Sequence, residues 1–111
     1  TDTLEIVKAV YSYVTTNISY DYSVVGKLDS GYLPDLDRVL ETKKGICFDY
    51  AALVCCMLRA QGIPTKLVIG YADYAYHAWN QVYIDGEWQL IDTTALITGT
   101  TVKRYTPERW Y

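Results

Sequence analysis

The dipeptide Asp85-Gly86 constrains this sequence more than any other feature. It separates two alternating runs, HAWNQVYI and EWQLIDTT, and Asp-Gly is a preferred pair for a two-residue hairpin turn. Such a turn fixes register. Ile84 faces Glu87, Tyr83 faces Trp88, Gln81 faces Leu90 and Trp79 faces Asp92. Opposed residues share a face and side chains alternate along a strand, so His77 lies on the face of Trp79. Asp92 is then its diagonal neighbour, about 7–8 Å away between backbone positions. A slip of one residue would send Asp92 to the opposite face. Upstream, TKLVIGY is short and β-branched and reads as a further strand.

The chain before these strands has the period of helices. In TLEIVKAVYSYVTTN, Val7, Val10, Tyr11, Val14 and then Ile18 fall on one helical face, with Asp2 or Thr3 as cap. ISYDYSVVGKLDSGYLPD reads as a loop punctuated by Gly26, Gly31 and Pro34. A short helix follows in DLDRVLETKKG, capped by Asp35 with Leu36, Val39 and Leu40 inward. Cys47 to Ala60 is helical again, its stripe being Ala51, Val54, Cys55 and Leu58, and Gly62 and Pro64 end it. Helices first and antiparallel strands second describe an α+β domain, with helices segregated to one face or end of a sheet.

At 111 residues the chain has the size of one domain, spanning 1–111, and half of it is apolar, enough for a core without staples. It opens on TDTLEIV without an initiator Met or a leader, so a piece of a longer chain is expected. Net charge is −3 with Lys and Arg scattered, which argues against a nucleic-acid partner. The longest apolar run, around Ala51 to Leu58, is far too short to span a membrane. The twelve tyrosines assign no function by themselves.

All three cysteines lie in GICFDYAALVCCMLRAQG. Cys55 and Cys56 are neighbours and a third thiol has no mate, so a disulfide framework is not expected. One histidine and a Cys-Cys pair match no usual zinc spacing. Cys47 differs from the other two. It opens a helix, where unpaired N–H groups and the positive dipole end favour an anion, and Gly45 allows a tight approach before it. A buried small hydrophobe is the equal alternative for Cys47 taken alone. Cys55 and Cys56, two turns deeper, read as packing. A nucleophilic cysteine needs a base, and the base needs an orienting group. His77, the sole histidine, and Asp92 have the hairpin geometry for those roles. Asp92 has a plainer alternative as the cap of a following turn. Asp49, in the first helical turn, reads as a dipole partner rather than a catalyst.

These residues resemble a known family. KGICFDYAALVCCMLRAQGIPTKLVIGY followed by HAWNQVYIDGEWQLIDTT resembles the transglutaminase-like core domain found in many bacterial proteins, with a Gly-x-Cys opening a helix, GIP before a strand ending in GY, an HAW strand, and a strand ending in IDTT. NISYDY resembles the segment before the nucleophile, and the match covers roughly residues 4 to 94. The resemblance implies a papain-like fold and a triad of Cys47 as nucleophile, His77 as base and then acid, and Asp92 as orienting group. It implies a thioester formed from a peptide or protein amide, then intercepted by water or an amine, with peptidase or amidase action favoured over cross-linking. No acidic cluster supports carrying over calcium, and no cofactor is expected. Oxyanion donors are expected at the Cys47 backbone N–H and the Tyr20 hydroxyl; the alternative for Tyr20 is packing through its ring. Trp79 is expected to shield the His77–Asp92 pair from water, or simply to pack. The rival reading is a non-catalytic binding or assembly module of a larger envelope protein. An extracytoplasmic or envelope setting is the expected location. The tail TVKRYTPERWY reads as either a last strand or a docking segment.

Overall fold

A computed structural model describes residues 2–24 and 33–111. Gly26 and Gly31, read as loop punctuation, lie outside the described residues.

Helix α1 runs Thr3–Asn17, and the Asp2 side chain accepts from the Leu4 N–H as its N-cap. Its apolar residues recur at helical spacing, so Val7, Val10 and Val14 are all buried and Ile18 continues the line. Full burial of a side chain such as Val14 contributes about 1.5–3 kcal/mol. Two residues, Ser19–Tyr20, form a short strand β1 in parallel with β2 at Lys44–Gly45, where the sequence reads as loop. A two-residue pairing leaves no periodic signal. A 3₁₀ turn follows at Tyr22–Val24.

Helix α2 is Leu36–Thr42, capped by Asp35, with Val39 fully buried. Leu40, expected inward, is exposed. In a helix of seven residues, only the single turn around Val39 reaches the core.

Helix α3, Cys47–Ala60, is the central element. It is buried on nearly every side from Cys47 to Cys55, because α1 and α2 cover one flank and the sheet covers the other. Asp49 Oδ2 accepts the Ile46 N–H at 2.8 Å, completing the helix start. Cys55 is buried, with its sulfur 3.8 Å from the Thr65 carbonyl, but Cys56 is exposed. The packing role expected for Cys56 is therefore corrected: one residue beyond the core stripe, it faces outward.

Four antiparallel strands form the sheet in the order β5-β4-β3-β6: β3 Thr65–Ala72, β4 Ala75–Ile84, β5 Glu87–Ile91 and β6 Tyr105–Trp110. The turn between β4 and β5 is Asp85-Gly86, both at positive φ, 52° and 85°, as a type I′ turn requires. Register follows the expectation from Ile84↔Glu87 to Asn80↔Ile91. There the ladder ends. Asp92 leaves the strand and caps α4, Thr93–Thr98. The tail is a strand, with β6 closing the far edge against β3.

Asn80, fully buried, joins the layers. Its Nδ2 donates to the Ala51 carbonyl of α3 at 2.9 Å and the Lys66 carbonyl of β3 at 3.1 Å. Among the described residues no helix is long and apolar enough to cross a membrane.

Candidate active site

Each of the three residues singled out for chemistry sits at the end of an element. Cys47 opens α3, His77 lies near the start of β4, and Asp92 stands between β5 and α4. His77 and Asp92 are joined by a 2.8 Å contact between Nε2 and Oδ2. Cys47 lies close enough to the same ring to raise it electrostatically. Since Nε2 is held by Asp92, Nδ1 is the ring nitrogen left for another partner.

The electrostatics follow from this arrangement. Burial opposes a charge on His77, but the hydrogen bond and charge of Asp92, with the neighbouring Cys47 acting in the same direction, outweigh it, and the imidazole is pushed up to about 9. For Asp92, burial acts to raise the carboxyl. The His77 bond and charge, the Ala95 N–H and the Tyr105 hydroxyl prevail, and it lies below its ordinary value. The geometry thus favours a protonated His77 held by an ionised Asp92.

Asp92 both caps α4 and contacts His77. Oδ1 accepts the Ala95 N–H at 3.1 Å and caps α4. Oδ2 accepts from His77 and from the Tyr105 hydroxyl, both at 2.8 Å. Tyr105 has no place in the expected set. It belongs to β6 and approaches Asp92 only through long-range pairing with β3. The Asp73 carboxylate fixes that approach by accepting the backbone N–H groups of Lys103 and Arg104.

Trp79 is buried beneath the pair. Its ring lies 4.9 Å from Tyr105 and 6.2 Å from His77, centroid to centroid. It packs against both members of the group that surrounds Asp92, the His77 ring and the Tyr105 ring. Its indole N–H has no hydrogen-bond partner among the described residues.

Tyr20 stacks on Tyr50 at 6.2 Å and meets Tyr22 edge-on at 4.9 Å, so its ring does pack. Its hydroxyl is pushed up to about 12 by burial first and the nearby Cys47 second, and keeps its proton as a donor must. Among the described residues no group of three or more His, Cys, Asp or Glu is arranged to hold a metal.

Comparison with known proteins agrees with this architecture. The family model for the transglutaminase-like superfamily matches residues 1–93. Kyphoscoliosis peptidase of Mus musculus is 32% identical over 117 residues, covering 93% of this chain and 18% of the relative. The UPF0252 protein MJ1282 of Methanocaldococcus jannaschii is 31% identical over 98 residues, covering 78% of this chain and 28% of the relative. The chain therefore spans less than a third of either relative. A crystal structure of a TGase superposes with a TM-score of 0.72 at 31% identity, over 89% of this chain and 28% of that one. Legionella pneumophila LapG shares the fold at a TM-score of 0.67 and 16% identity, over 82% of this chain and 54% of that one.

Proposed function

The chain belongs to the transglutaminase-like superfamily, and from that premise we propose that it is a cysteine-dependent enzyme. It attacks a peptide or protein amide through Cys47, with His77 as acid and base and Asp92 as the orienting group. The observation that carries this reading is the His77 ring, bonded to Asp92 through Nε2 at 2.8 Å and raised by the neighbouring Cys47 as well as by Asp92.

In the proposed reaction the Cys47 thiolate attacks the carbonyl carbon and a C–S bond forms. The developing oxyanion is met by the Cys47 backbone N–H and the Tyr20 hydroxyl. His77 gives its proton to the departing nitrogen as the C–N bond breaks, and a thioester remains. Water then attacks, His77 takes a proton from it, the C–S bond breaks, and a carboxylic acid leaves. An amine in place of water would yield a new amide. We favour water, so peptidase or amidase action. The name of Kyphoscoliosis peptidase supports that choice by likeness alone.

Iodoacetamide labelling read by mass spectrometry tests the site. Cys56 is exposed and labels in any case. Cys47 should label fast in the wild type and slowly in His77→Ala, while Cys56 is unaffected by that change. Turnover of a peptide library should vanish in Cys47→Ala with the circular dichroism spectrum unchanged. Cys47 labelling that ignores the loss of His77, in a protein without turnover, would instead support a binding or assembly module.

A further inference from the structure

A cavity of about 300 Å³ opens beside His77. Its walls come from β1 and the turn after it, the β3–β4 turn, α4 and residues 100–102; none of the lining residues belongs to α3, which carries Cys47. Resting on the thioester reading above, we propose that this cavity seats the amine side of the substrate. Its occupant is an uncharged, apolar amino-acid side chain immediately following the amide that is broken.

The direction follows from the chemistry. His77 delivers its proton to the departing nitrogen, so the departing group must lie on the His77 side of the sulfur. The space lined by His77 and not by the nucleophile's helix is the space that group occupies. Size points to a leaving group larger than ammonia. Ammonia, released from a glutamine side chain, needs about the volume of one water. The cavity is instead at the lower end of small-ligand sites.

Lining chemistry sets the class. Ala72, Ala75, Ala95 and Val102 and the rings of Tyr20 and Tyr22 give an apolar wall. The hydroxyls of Thr98 and Thr100 are engaged with each other at 2.8 Å, and that of Thr98 also donates to the Thr94 carbonyl at 2.9 Å. Neither needs a partner from a ligand; the buried Thr94 hydroxyl, also in the lining, has no partner among the described residues and is left to meet the polar backbone of the departing residue. Apart from His77, the charged residue among the described lining residues is Asp73, whose carboxylate accepts the Lys103 and Arg104 N–H groups. Among the described residues no lysine or arginine lines the cavity, so there an acidic side chain meets a like charge without a partner.

The test separates binding from turnover. Leu-Gly-amide, Gly-Gly-amide, Glu-Gly-amide and Lys-Gly-amide are titrated into the Cys47→Ala protein, followed by methyl NMR of alanine, threonine and valine. Leu-Gly-amide should perturb the Val102 and Thr98 methyls and bind at least tenfold tighter than the other three. Ala75→Trp, which fills the mouth, should remove that preference. In parallel, wild-type protein cleaves a peptide library and the residue after each cut is read by mass spectrometry; large apolar residues should dominate. Equal binding of all four amides, or cleavage indifferent to that residue, overturns the cavity assignment while the thioester reading stands. Tightest binding by Lys-Gly-amide also overturns it, and assigns the cavity to a cation held by Asp73. Selective Leu-Gly-amide binding in a protein that cleaves nothing upholds the cavity's preference and overturns the enzymatic reading.

Discussion

Asp92 divides its two oxygens, Oδ1 holding the start of α4 and Oδ2 holding His77 and Tyr105. Asn is as good an N-cap as Asp, so Asp92→Asn should leave α4 folded while removing the charge that orients His77. We expect kcat/KM to fall on the order of 10²–10⁴-fold, the range of general acid–base catalysis. The alkaline limb of the pH–rate profile, expected near pH 9 from His77, should move to lower pH in the variant. An unmoved limb would detach His77 from the rate. Tyr105→Phe is a milder change. It keeps the ring on Trp79 and loses one donor to a charged acceptor, which costs about 1.5–3 kcal/mol. Urea denaturation should find that loss, with kcat reduced and the fold retained.

At the scale of elements, β6 delivers Tyr105, and Gly70 of β3 is what lets β6 approach. A Cβ at Gly70 would run into the Thr106 carbonyl oxygen and come within 2.9 Å of Glu108 N and Pro107 Cα. All three are backbone atoms and cannot swing aside. Gly70→Ala should therefore free β6 and Tyr105. Amide hydrogen exchange would show lost protection across Tyr105–Trp110 while α3 stays protected; uniform protection would contradict this. Elements differed in how far the sequence disclosed them. The β4–β5 register was legible because Asp85-Gly86 admits one pairing, and α1 and α3 because their apolar stripes hold the helical period. Helix α4 was not, since Thr93, Thr94, Ile97 and Thr98, four of its six residues, are β-branched and suit a strand. The Asp92 cap and Gly99, at φ 72°, decide for helix against that preference. Tyr105 was hidden for another reason: its link to Asp92 depends on a strand pairing distant in sequence, which no local pattern encodes.

Across the whole molecule, the candidate site spans two layers: Cys47 belongs to the helices and His77 to the sheet, with Asp92 at the junction of β5 and α4. Asn80 ties those layers together from the face of β4 opposite His77. In the sequence it looked like one more strand residue, because burial without a charge leaves no mark in an alternating pattern. The same pairing links folding to pH. His77 is raised from its ordinary 6.5 to about 9, so its contribution to stability is complete below about pH 6.5 and is lost as pH rises through about 9. Asp92 is lowered from 3.8, so its contribution is present above that value and is lost as pH falls further. Thermal unfolding across pH should show a plateau between these limits. In His77→Gln the decline toward pH 9 should flatten, and an unchanged alkaline decline would assign it to other groups.

The double duty of Asp92 has one more consequence. A helix of six residues does not persist in isolation, so α4 exists only with its cap in place and its side chains docked. The carboxylate that caps it is the one that fixes His77. Assembly of the acid–base pair and completion of the fold are therefore a single event. A nascent or damaged chain carries the same three thiols but no oriented imidazole beside Cys47. Under the proposed function, Cys47 stays dormant until the molecule is finished, which spares an unfinished chain from misdirected chemistry on itself or its neighbours.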